Sequence, residues 1–393
     1  MKTVCDINMC TSCMACAEIC PMDAITMFDE LKHVNSVIDE NKCIGCGLCQ
    51  KVCQVINPLS LQEPISWYQG WNKDSNYRAK SSSGAFAYSF ARQIIVEGGY
   101  VISCRFKKGE FKYFTTNELT ELDDIRESKY VKSNPERMYS RAQRLLKEGN
   151  TVLFIGLPCH VAGLKLYLGE EYENLITVDL ICHGSPSPKL LEMFLNEQGI
   201  KLDQIKKIHF RQKSGLELKS IPDQRNDGLT HEVYFTQPSI RDRYSIAFVY
   251  GLMFTENCYH CHYAGTNRVS DITLGDSWGS ELDKKEKQMG ISLAICQTQK
   301  GISLLKRCPL SLQPVNVEKA IMANHQLREP FPLVQQRDIL FREIGNGKGF
   351  KASVQKSIPI ACFRLDLKDF LLKSRVLKPP RDEAQEYRIS IEI

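Results

Sequence analysis

Cys10-Thr-Ser-Cys13-Met-Ala-Cys16-Ala-Glu-Ile-Cys20 and Cys43-Ile-Gly-Cys46-Gly-Leu-Cys49-Gln-Lys-Val-Cys53 are two copies of one pattern, C-x-x-C-x-x-C-x-x-x-C. Two residues between cysteines let three thiolates surround one iron–sulfur cubane, while the fourth cysteine of the block faces the neighbouring cluster. The spacing therefore predicts two 4Fe-4S clusters. One would be held by Cys10, Cys13, Cys16 and Cys53, and the other by Cys43, Cys46, Cys49 and Cys20.

Disulfides and zinc are the two other uses that these cysteines might serve, and the sequence disfavours both. Disulfides form in oxidising compartments, but no apolar signal-peptide core precedes the first block. Zinc sites usually combine two C-x-x-C pairs across a loop, whereas each block here carries four cysteines. We therefore expect a reducing, cytoplasmic location. Cys5 lies outside both patterns and is assigned no role.

The bulk composition is that of an ordinary globular protein with two or three domains. The chain has 393 residues, of which 43% are hydrophobic and 17 are cysteines, and its net charge is +5. This mild excess of positive charge gives no reason to expect nucleic-acid binding. No apolar run approaches the roughly 18 residues that a membrane-spanning helix needs, so we expect no membrane span.

The order of apolar runs predicts how the chain is divided. Residues 1–62 should form an α+β ferredoxin-like domain, which a proline-punctuated linker follows. Strand and helix patterns then alternate, which predicts an α/β domain with a mixed or parallel sheet. We divide the rest into a first part of a cofactor domain at 63–150, its cluster- and cofactor-binding part at 151–325, and a basic, irregular tail at 326–393. The tail could pack as helices or dock a partner.

A serine-rich turn precedes the first helix of the predicted α/β domain. Ser81, Ser82, Ser83 and Gly84 stand before an amphipathic run from Ala85 to Glu97. Free backbone N–H groups and hydroxyls at the start of a helix can hold the pyrophosphate of a dinucleotide. An ordinary helix cap explains the same residues equally well. A second mixed segment, Arg126 to Ser133, predicts by itself only a solvated surface.

Four further cysteines follow predicted strands or form a separate pair. Cys159 and Cys182 come directly after the apolar runs Thr151–Ile155 and Leu175–Ile181, and Cys258 and Cys261 form another C-x-x-C. Because parallel strands end at one edge of a sheet, Cys159 and Cys182 should lie close together. If all four converge, they predict a third 4Fe-4S cluster.

Other interpretations of these four cysteines stay open. Cys258 and Cys261 could bind zinc together with His260 or His262. Cys159 or Cys182 could be a nucleophile, because a helix N-terminus activates a thiolate. Some of them could be plain core residues. The isolated cysteines Cys104, Cys296, Cys308 and Cys362 are expected to be structural.

Several segments together resemble one family, the beta subunits of coenzyme F420 (deazaflavin) hydrogenases and dehydrogenases. The matching stretches are Ser81-Ser-Ser-Gly84, Ser128-Lys-Tyr-Val-Lys-Ser133, Phe154-Ile-Gly-Leu-Pro-Cys-His-Val-Ala-Gly-Leu164, Asp179-Leu-Ile-Cys-His-Gly-Ser-Pro-Ser-Pro188 and Ser270-Asp-Ile-Thr-Leu-Gly-Asp-Ser-Trp-Gly279. The family often has a second glycine after the serine turn and a glutamine after the Pro-Cys pair, where this chain has Ala85 and His160.

The resemblance implies an iron–sulfur flavoprotein that holds FAD beside a cluster. Ser81, Ser82, Ser83, Gly84, Lys129, Tyr130, Lys132 and Ser133 would then contact the flavin. Ferredoxin or another redox protein would exchange single electrons with it, and a hydride carrier such as deazaflavin, or an organic substrate, would exchange pairs. His160 and His183 are candidate general acids, because imidazole titrates near neutrality. The alternative is a non-catalytic subunit that relays electrons to a partner enzyme, within a homo-oligomer or hetero-complex. Ile44, Leu48 and Val52 are expected to cover the clusters.

Overall fold

A mixed sheet of eight strands lies at the centre of the molecule, and a small cysteine-rich domain packs against one side of it. The computed structural model describes residues 2–211, 232–236, 239–378 and 390–392. The predicted combination of a small α+β region with an α/β domain is confirmed. The positions of the predicted domain boundaries stay predictions.

The strands are, in chain order, β1 Ile25–Asp29, β2 Val34–Ile38, β3 Ser66–Asn72, β4 Tyr100–Lys107, β5 Glu110–Thr116, β6 Val152–Gly156, β7 Leu175–Leu180, β8 Lys207–His209, β9 Glu232–Tyr234, β10 Ile272–Asp276, β11 Ser292–Cys296, β12 Leu310–Gln313 and β13 Ser390–Glu392. The helices are α1 Ala15–Glu18, α2 Leu48–Lys51, α3 Ser75–Ala79, α4 Phe86–Val96, α5 Met138–Lys147, α6 Pro158–Leu168, α7 Pro188–Asn196, α8 Arg243–Val249, α9 Lys284–Met289, α10 Gln299–Arg307, α11 Val317–Ala323, α12 Gln336–Gly345, α13 Phe350–Ser357 and α14 Pro359–Lys373.

The central sheet has the strand order β12-β3-β11-β10-β7-β6-β4-β5. The four strands β10, β7, β6 and β4 are parallel, with Ile272 opposite Val178 and Phe154 opposite Thr177. Antiparallel strands extend this core on both sides. All residues of β6 are buried, as expected for a strand covered by helices on both faces. The carboxyl ends of the four parallel strands therefore lie on one edge of the sheet.

The N-terminal domain combines one hairpin with two short helices. β1 and β2 pair antiparallel, with Ile25 opposite Ile38. The two helices α1 and α2 each begin between cysteines of one block and pack against each other. Val4 and Val52 join the buried core that this domain shares with α5 and α6. The cysteine-rich domain is therefore held against the helical face of the sheet by apolar packing.

Most of the predicted basic tail that is described is helical. α12, α13 and α14 occupy it, and Leu340, Phe350 and Val354 are buried in a core shared with α7 and α8. Residues 379–389 and 393 of the predicted tail lie outside the described residues. Among the helices that the structure describes, none combines the length and the apolar character needed to cross a bilayer.

Candidate functional site

The structure gathers the eight cysteines of the two blocks into two separate groups, which are the two sets of four that the spacing predicts. Cys10, Cys13, Cys16 and Cys53 line one small cavity, which we call the inner site. Cys20, Cys43, Cys46 and Cys49 line a second cavity, which we call the outer site. The inner cysteines are all buried, whereas Cys46 of the outer site is exposed.

The fifth thiol at the inner site belongs to Cys5, for which the sequence gave no role. Its side chain is buried, lines the inner site and interacts with the thiols of Cys10 and Cys53. The expected apolar cover is present only in part. Val52 is buried, but Ile44 and Leu48 are 64% and 38% exposed, so the prediction that they cover the clusters is wrong. Both flank the outer site instead.

Cys159, Cys182, Cys258 and Cys261 line one cavity of about 310 Å³, which we call the junction cavity. Cys159 is in the first turn of α6, which begins at Pro158, three residues before the predicted start. Cys182 follows β7, and a short 3-10 helix, Glu256–His260, carries Cys258. The structure thus brings together the four cysteines that the edge rule suggested. His260 and His262 line the same cavity.

Two contacts between loops hold these cysteines together. Pro186 forms an antiparallel bridge with Phe254, and Gly184 has a φ of 136° with no room for a side chain against the Phe254 ring. The buried Arg268 pairs with Asp179 on β7 at 3.1 Å and donates to the carbonyl oxygen of Tyr263. The first contact joins the Cys182 loop to Cys258, and the second joins β7 to the segment after Cys261.

The thiols of the junction cavity are protected from ionisation by burial. Burial raises the pKa of Cys159 well above its usual value, that of Cys261 in the same direction and that of Cys182 to about 12. None of the chain's cysteines forms a disulfide. Within the described part of the chain, no three His, Cys, Asp or Glu side chains converge closely enough to hold a single metal ion.

A second cavity, of about 250 Å³, lies at the carboxyl edge of the sheet, and we call it the edge cavity. Its volume is close to the lower end of the range for small-molecule sites, about 300–1,000 Å³. The serine turn, the first residues of α4, the segment 125–131 and the loop after β7 all line it. Among the predicted flavin contacts, those at the edge cavity are Ser81, Ser82, Ser83, Lys129, Tyr130 and Ser133.

Hydrogen bonds already engage several of these polar groups. The Ser81 hydroxyl donates to the Tyr77 carbonyl oxygen at 2.8 Å, and the Ser82 hydroxyl oxygen accepts from the Ser128 N–H at 3.0 Å. The Lys129 ammonium donates to the carbonyl oxygens of Asp124, Arg126 and Glu127. Burial lowers its pKa. The side chains of Ser81 and Lys129 thus fix the shape of the cavity wall.

Gly84 and Lys132, both predicted to contact a flavin, do not line the edge cavity. A Cβ atom at Gly84 would lie 2.2 Å from the Gly70 carbonyl oxygen, so close packing against β3 explains this glycine. Lys132 lines the junction cavity and donates to the Thr11 carbonyl oxygen at 3.2 Å. The chain from Lys129 to Lys132 forms part of the wall of both cavities, and its last lysine faces the cysteines.

The two candidate acids have different surroundings. His183 lines the edge cavity, and burial lowers its pKa. His160 lines neither the edge cavity nor the junction cavity. Its Nδ1 shares a hydrogen bond of 2.7 Å with the Tyr113 hydroxyl, and burial lowers its pKa to about 3. Tyr113 lines the edge cavity, so His160 reaches it only through this tyrosine.

Sequence reasoning missed several residues of the edge cavity. Cys104 lines it and donates to the Ser133 hydroxyl at 3.0 Å, although it was expected to be only structural. Arg211 pairs with Asp276 at 2.6 Å, and its guanidinium lies 5.4 Å from the centre of the Trp278 ring. Asp276 ends β10, so the rule that ligands bind at strand ends could have found it. No local pattern identifies Arg211.

The four sites form a series in which neighbouring sites share residues. α1 separates Cys16 of the inner site from Cys20 of the outer site. Thr11, Gln54 and Val55 line both the inner site and the junction cavity. Leu157, Cys182, Gly184 and Ser185 line both the junction cavity and the edge cavity. The order from the surface inward is therefore outer site, inner site, junction cavity and edge cavity.

Comparison with known proteins agrees with this division. Residues 149–313 match the family model for the C terminus of the beta subunit of coenzyme F420 hydrogenase/dehydrogenase. Residues 9–56 match a 4Fe-4S dicluster domain. No curated protein matches the chain. Among solved structures, a chain of the F420-reducing NiFe hydrogenase complex from Methanosarcina barkeri is 18% identical, with 74% of this chain and 96% of that chain covered and a TM-score of 0.46.

Proposed function

Because the chain belongs to the family of coenzyme F420 hydrogenase/dehydrogenase beta subunits and carries a 4Fe-4S dicluster domain, we propose that it is an iron–sulfur flavoenzyme. It moves electrons between a one-electron carrier protein and a two-electron hydride carrier or organic substrate. A third 4Fe-4S cluster in the junction cavity and FAD in the edge cavity connect the two. The observation that carries this proposal is the series of four sites with shared walls.

The junction cavity fits a cubane cluster in the chemistry of its donors. It offers four cysteine thiols, and no disulfide competes for them. Burial of Cys159, Cys182 and Cys261 makes isolated thiolates unfavourable there, so their ionisation depends on iron. Zinc bound by Cys258, Cys261 and a neighbouring histidine remains the rival that an iron assay separates from this proposal.

The edge cavity fits a flavin in its position and in its lining. It lies at the carboxyl ends of parallel strands, where α/β proteins bind nucleotides. The N-terminus of α4 lines it, and the backbone N–H groups there favour a phosphate. The Arg126 guanidinium adds positive charge at the same wall and lies 4.1 Å from the centre of the Tyr88 ring.

A bound flavin can exchange one or two electrons, which is the chemistry that cluster-to-hydride transfer requires. The protein's residues hold and orient the reactants. The backbone at Cys182 lies between the clusters and the edge cavity, so electrons pass this residue. His183 lies at the reacting end of the cavity and can hold a proton there, since its lowered pKa keeps the imidazole neutral and able to accept one.

The test is the cofactor content of the protein purified without oxygen. Acid-released cofactors are analysed for FAD by fluorescence and for iron and sulfide by colorimetry. We expect one FAD and about twelve irons per chain. About eight irons would fit the two N-terminal clusters alone and would remove the third cluster from the proposal.

Flavin content separates this proposal from the second candidate, a non-catalytic electron-transfer subunit. The exposed outer site, with Cys46, Ile44 and Leu48 at the surface, is suited to either function. A preparation with full iron content but no FAD, even after incubation with added FAD, would contradict the flavoenzyme and favour the relay subunit.

A further inference from the structure

Lys132 is a buried cation that no carboxylate neutralises within the described part of the chain. Its side chain is 9% exposed, and its ammonium lines the junction cavity. The Thr11 carbonyl oxygen, at 3.2 Å, accepts a hydrogen bond from it. A carbonyl dipole compensates only part of a full charge that has left water, and an uncompensated buried ion costs several kcal/mol.

The other strong cation near the junction cysteines is already paired. Arg268 lies near Cys182 and Cys261, but Asp179 accepts two hydrogen bonds from its guanidinium. Arg268 and Asp179 are both almost fully buried, so they form a neutral pair. The positive charge that faces the junction cysteines without a partner is therefore that of Lys132.

The position of Lys132 is between two groups of cysteines. Thr11, which accepts its hydrogen bond, follows Cys10 and lines both the inner site and the junction cavity. The charge of Lys132 acts on Cys10 of the inner site and on Cys159 of the junction cavity, and it favours the thiolate form of both. A cubane with four thiolate ligands is negatively charged, and each electron that it accepts adds one more negative charge.

We propose that Lys132 is the counter-charge shared by the inner cluster and the junction cluster, and that it raises the reduction potentials of both. The ammonium stabilises the reduced, more negative form of each cluster more than the oxidised form, because the attraction between opposite charges grows with the cluster's charge. Lys132 is thus a positioning and tuning residue for electron transfer between the two sites, rather than a flavin contact.

This inference rests on the proposed function at one point, because it assumes a cluster in the junction cavity. The experiment is an anaerobic redox titration monitored by electron paramagnetic resonance on the wild-type protein, Lys132→Met and Lys132→Arg. Methionine keeps much of the side-chain volume without the charge, and arginine keeps the charge. Signals are assigned with a Cys182→Ser variant, from which the junction signal should be missing.

We expect Lys132→Met to shift the midpoint potentials of the inner and junction clusters to more negative values. The outer cluster serves as an internal control and should keep its potential, because Lys132 does not line the outer site. Lys132→Arg should keep all three potentials close to the wild-type values. Should methionine cause loss of iron while arginine retains it, the need for a positive charge is supported in the same way.

Unchanged potentials in Lys132→Met with full iron content would overturn the counter-charge role. Equal loss of iron from Lys132→Met and Lys132→Arg would also overturn it, because shape rather than charge would then be required. Failure of the third cluster is seen separately, as a wild-type iron content of about eight. In that case the inner cluster alone still tests Lys132. Circular dichroism of each variant checks that the chain is folded.

Discussion

At the scale of single residues, the two cysteine blocks share a backbone shape that their side chains do not share. Gly45 and Gly47 have φ values of 71° and 75°, and Ser12 and Met14 at the equivalent positions have 60° and 63°. A residue with a side chain pays roughly 1–2 kcal/mol for this conformation. The first block accepts this cost twice, because the loop must turn around the inner site. Ala85, where relatives often have glycine, is also left-handed with φ 68°.

Replacing a junction cysteine should remove one cluster and leave the others in place. For Cys182→Ser we expect a loss of about four irons per chain, because a cubane needs all four protein ligands. Iron and sulfide assays on anaerobically purified protein measure this. Cys104→Ser is the matched control, since Cys104 is a half-buried thiol that lines the edge cavity but not the junction cavity. Equal iron content in both variants would contradict a cluster at this place.

The sequence could predict which cysteines meet but not which way every neighbour faces. Cysteine spacing grouped the inner and outer ligands, and the edge rule grouped Cys159 with Cys182. Lys132 was assigned to the wrong cavity, because its segment lies between two cavities and only the fold decides the side. Gly84 resembled a ligand-binding glycine, whereas the structure explains it by packing against Gly70. Arg211 reaches the edge cavity from a distant loop, so no local pattern could reveal it.

At the scale of elements, α6 joins the sheet to the inner site. It begins at Pro158 after β6, carries Cys159 in its first turn and packs against α1. A Cβ atom at Gly163 would lie 3.1 Å from the Cys13 sulfur and 3.1 Å from the Tyr139 hydroxyl oxygen. Tyr139 in turn donates to the Cys13 carbonyl oxygen at 2.7 Å. The absence of a side chain at this one position sets the distance between α6 and the inner site.

Adding a methyl group at Gly163 should therefore loosen the inner site. We expect Gly163→Ala to lower the free energy of unfolding by about 1–3 kcal/mol through overpacking, and to speed the loss of iron to a chelator. Denaturant unfolding and chelator kinetics measure the two effects. Gly345→Ala is the matched control, since this helical glycine has no atom within 4 Å of an added Cβ. There, alanine should stabilise the protein by up to about 1 kcal/mol. Similar behaviour of both variants would sink the idea.

The elements that sequence periodicity identified are those with long, simple patterns. The predicted strands at 67–71, 100–104 and 175–181 correspond to β3, β4 and β7. The start of α6 was placed too late, because Pro158 supplies the first helical residue and looks like a loop residue in sequence. The antiparallel strands β5, β11 and β12 were not identified. Their pairing partners are distant in the chain, so local patterns carry little information about them.

At the scale of the whole molecule, the outer site is the end of the series that reaches the surface. Cys46 is exposed, and Ile44 and Leu48 place apolar side chains beside it. An exposed apolar group next to a redox centre is suited to a short-lived contact with a carrier protein, which needs close approach without tight binding. Ferredoxin or a similar redox protein would therefore exchange electrons at this face.

A charge on this face should weaken the encounter without changing the clusters. We expect Ile44→Asp to raise the KM for reduced ferredoxin about tenfold, on the order of 1.4 kcal/mol, with iron content unchanged. Steady-state assays at several ferredoxin concentrations measure it. Phe370→Asp on α14 is the control, because Phe370 and Ile44 are 65% and 64% exposed and Phe370 does not line the outer site. An equal effect of both variants would place the docking face elsewhere.

The difference in exposure between Cys46 and the four buried inner cysteines also bears on how this protein meets air. Oxygen attacks iron–sulfur clusters where it can reach them, so the outer cluster should be damaged first. The inner and junction clusters would survive that loss, but electrons held on them would have no surface outlet. Brief exposure to oxygen would then disconnect the protein from its carrier while its deeper centres stay assembled. Reinsertion of one cluster at the surface would be enough to restore the connection.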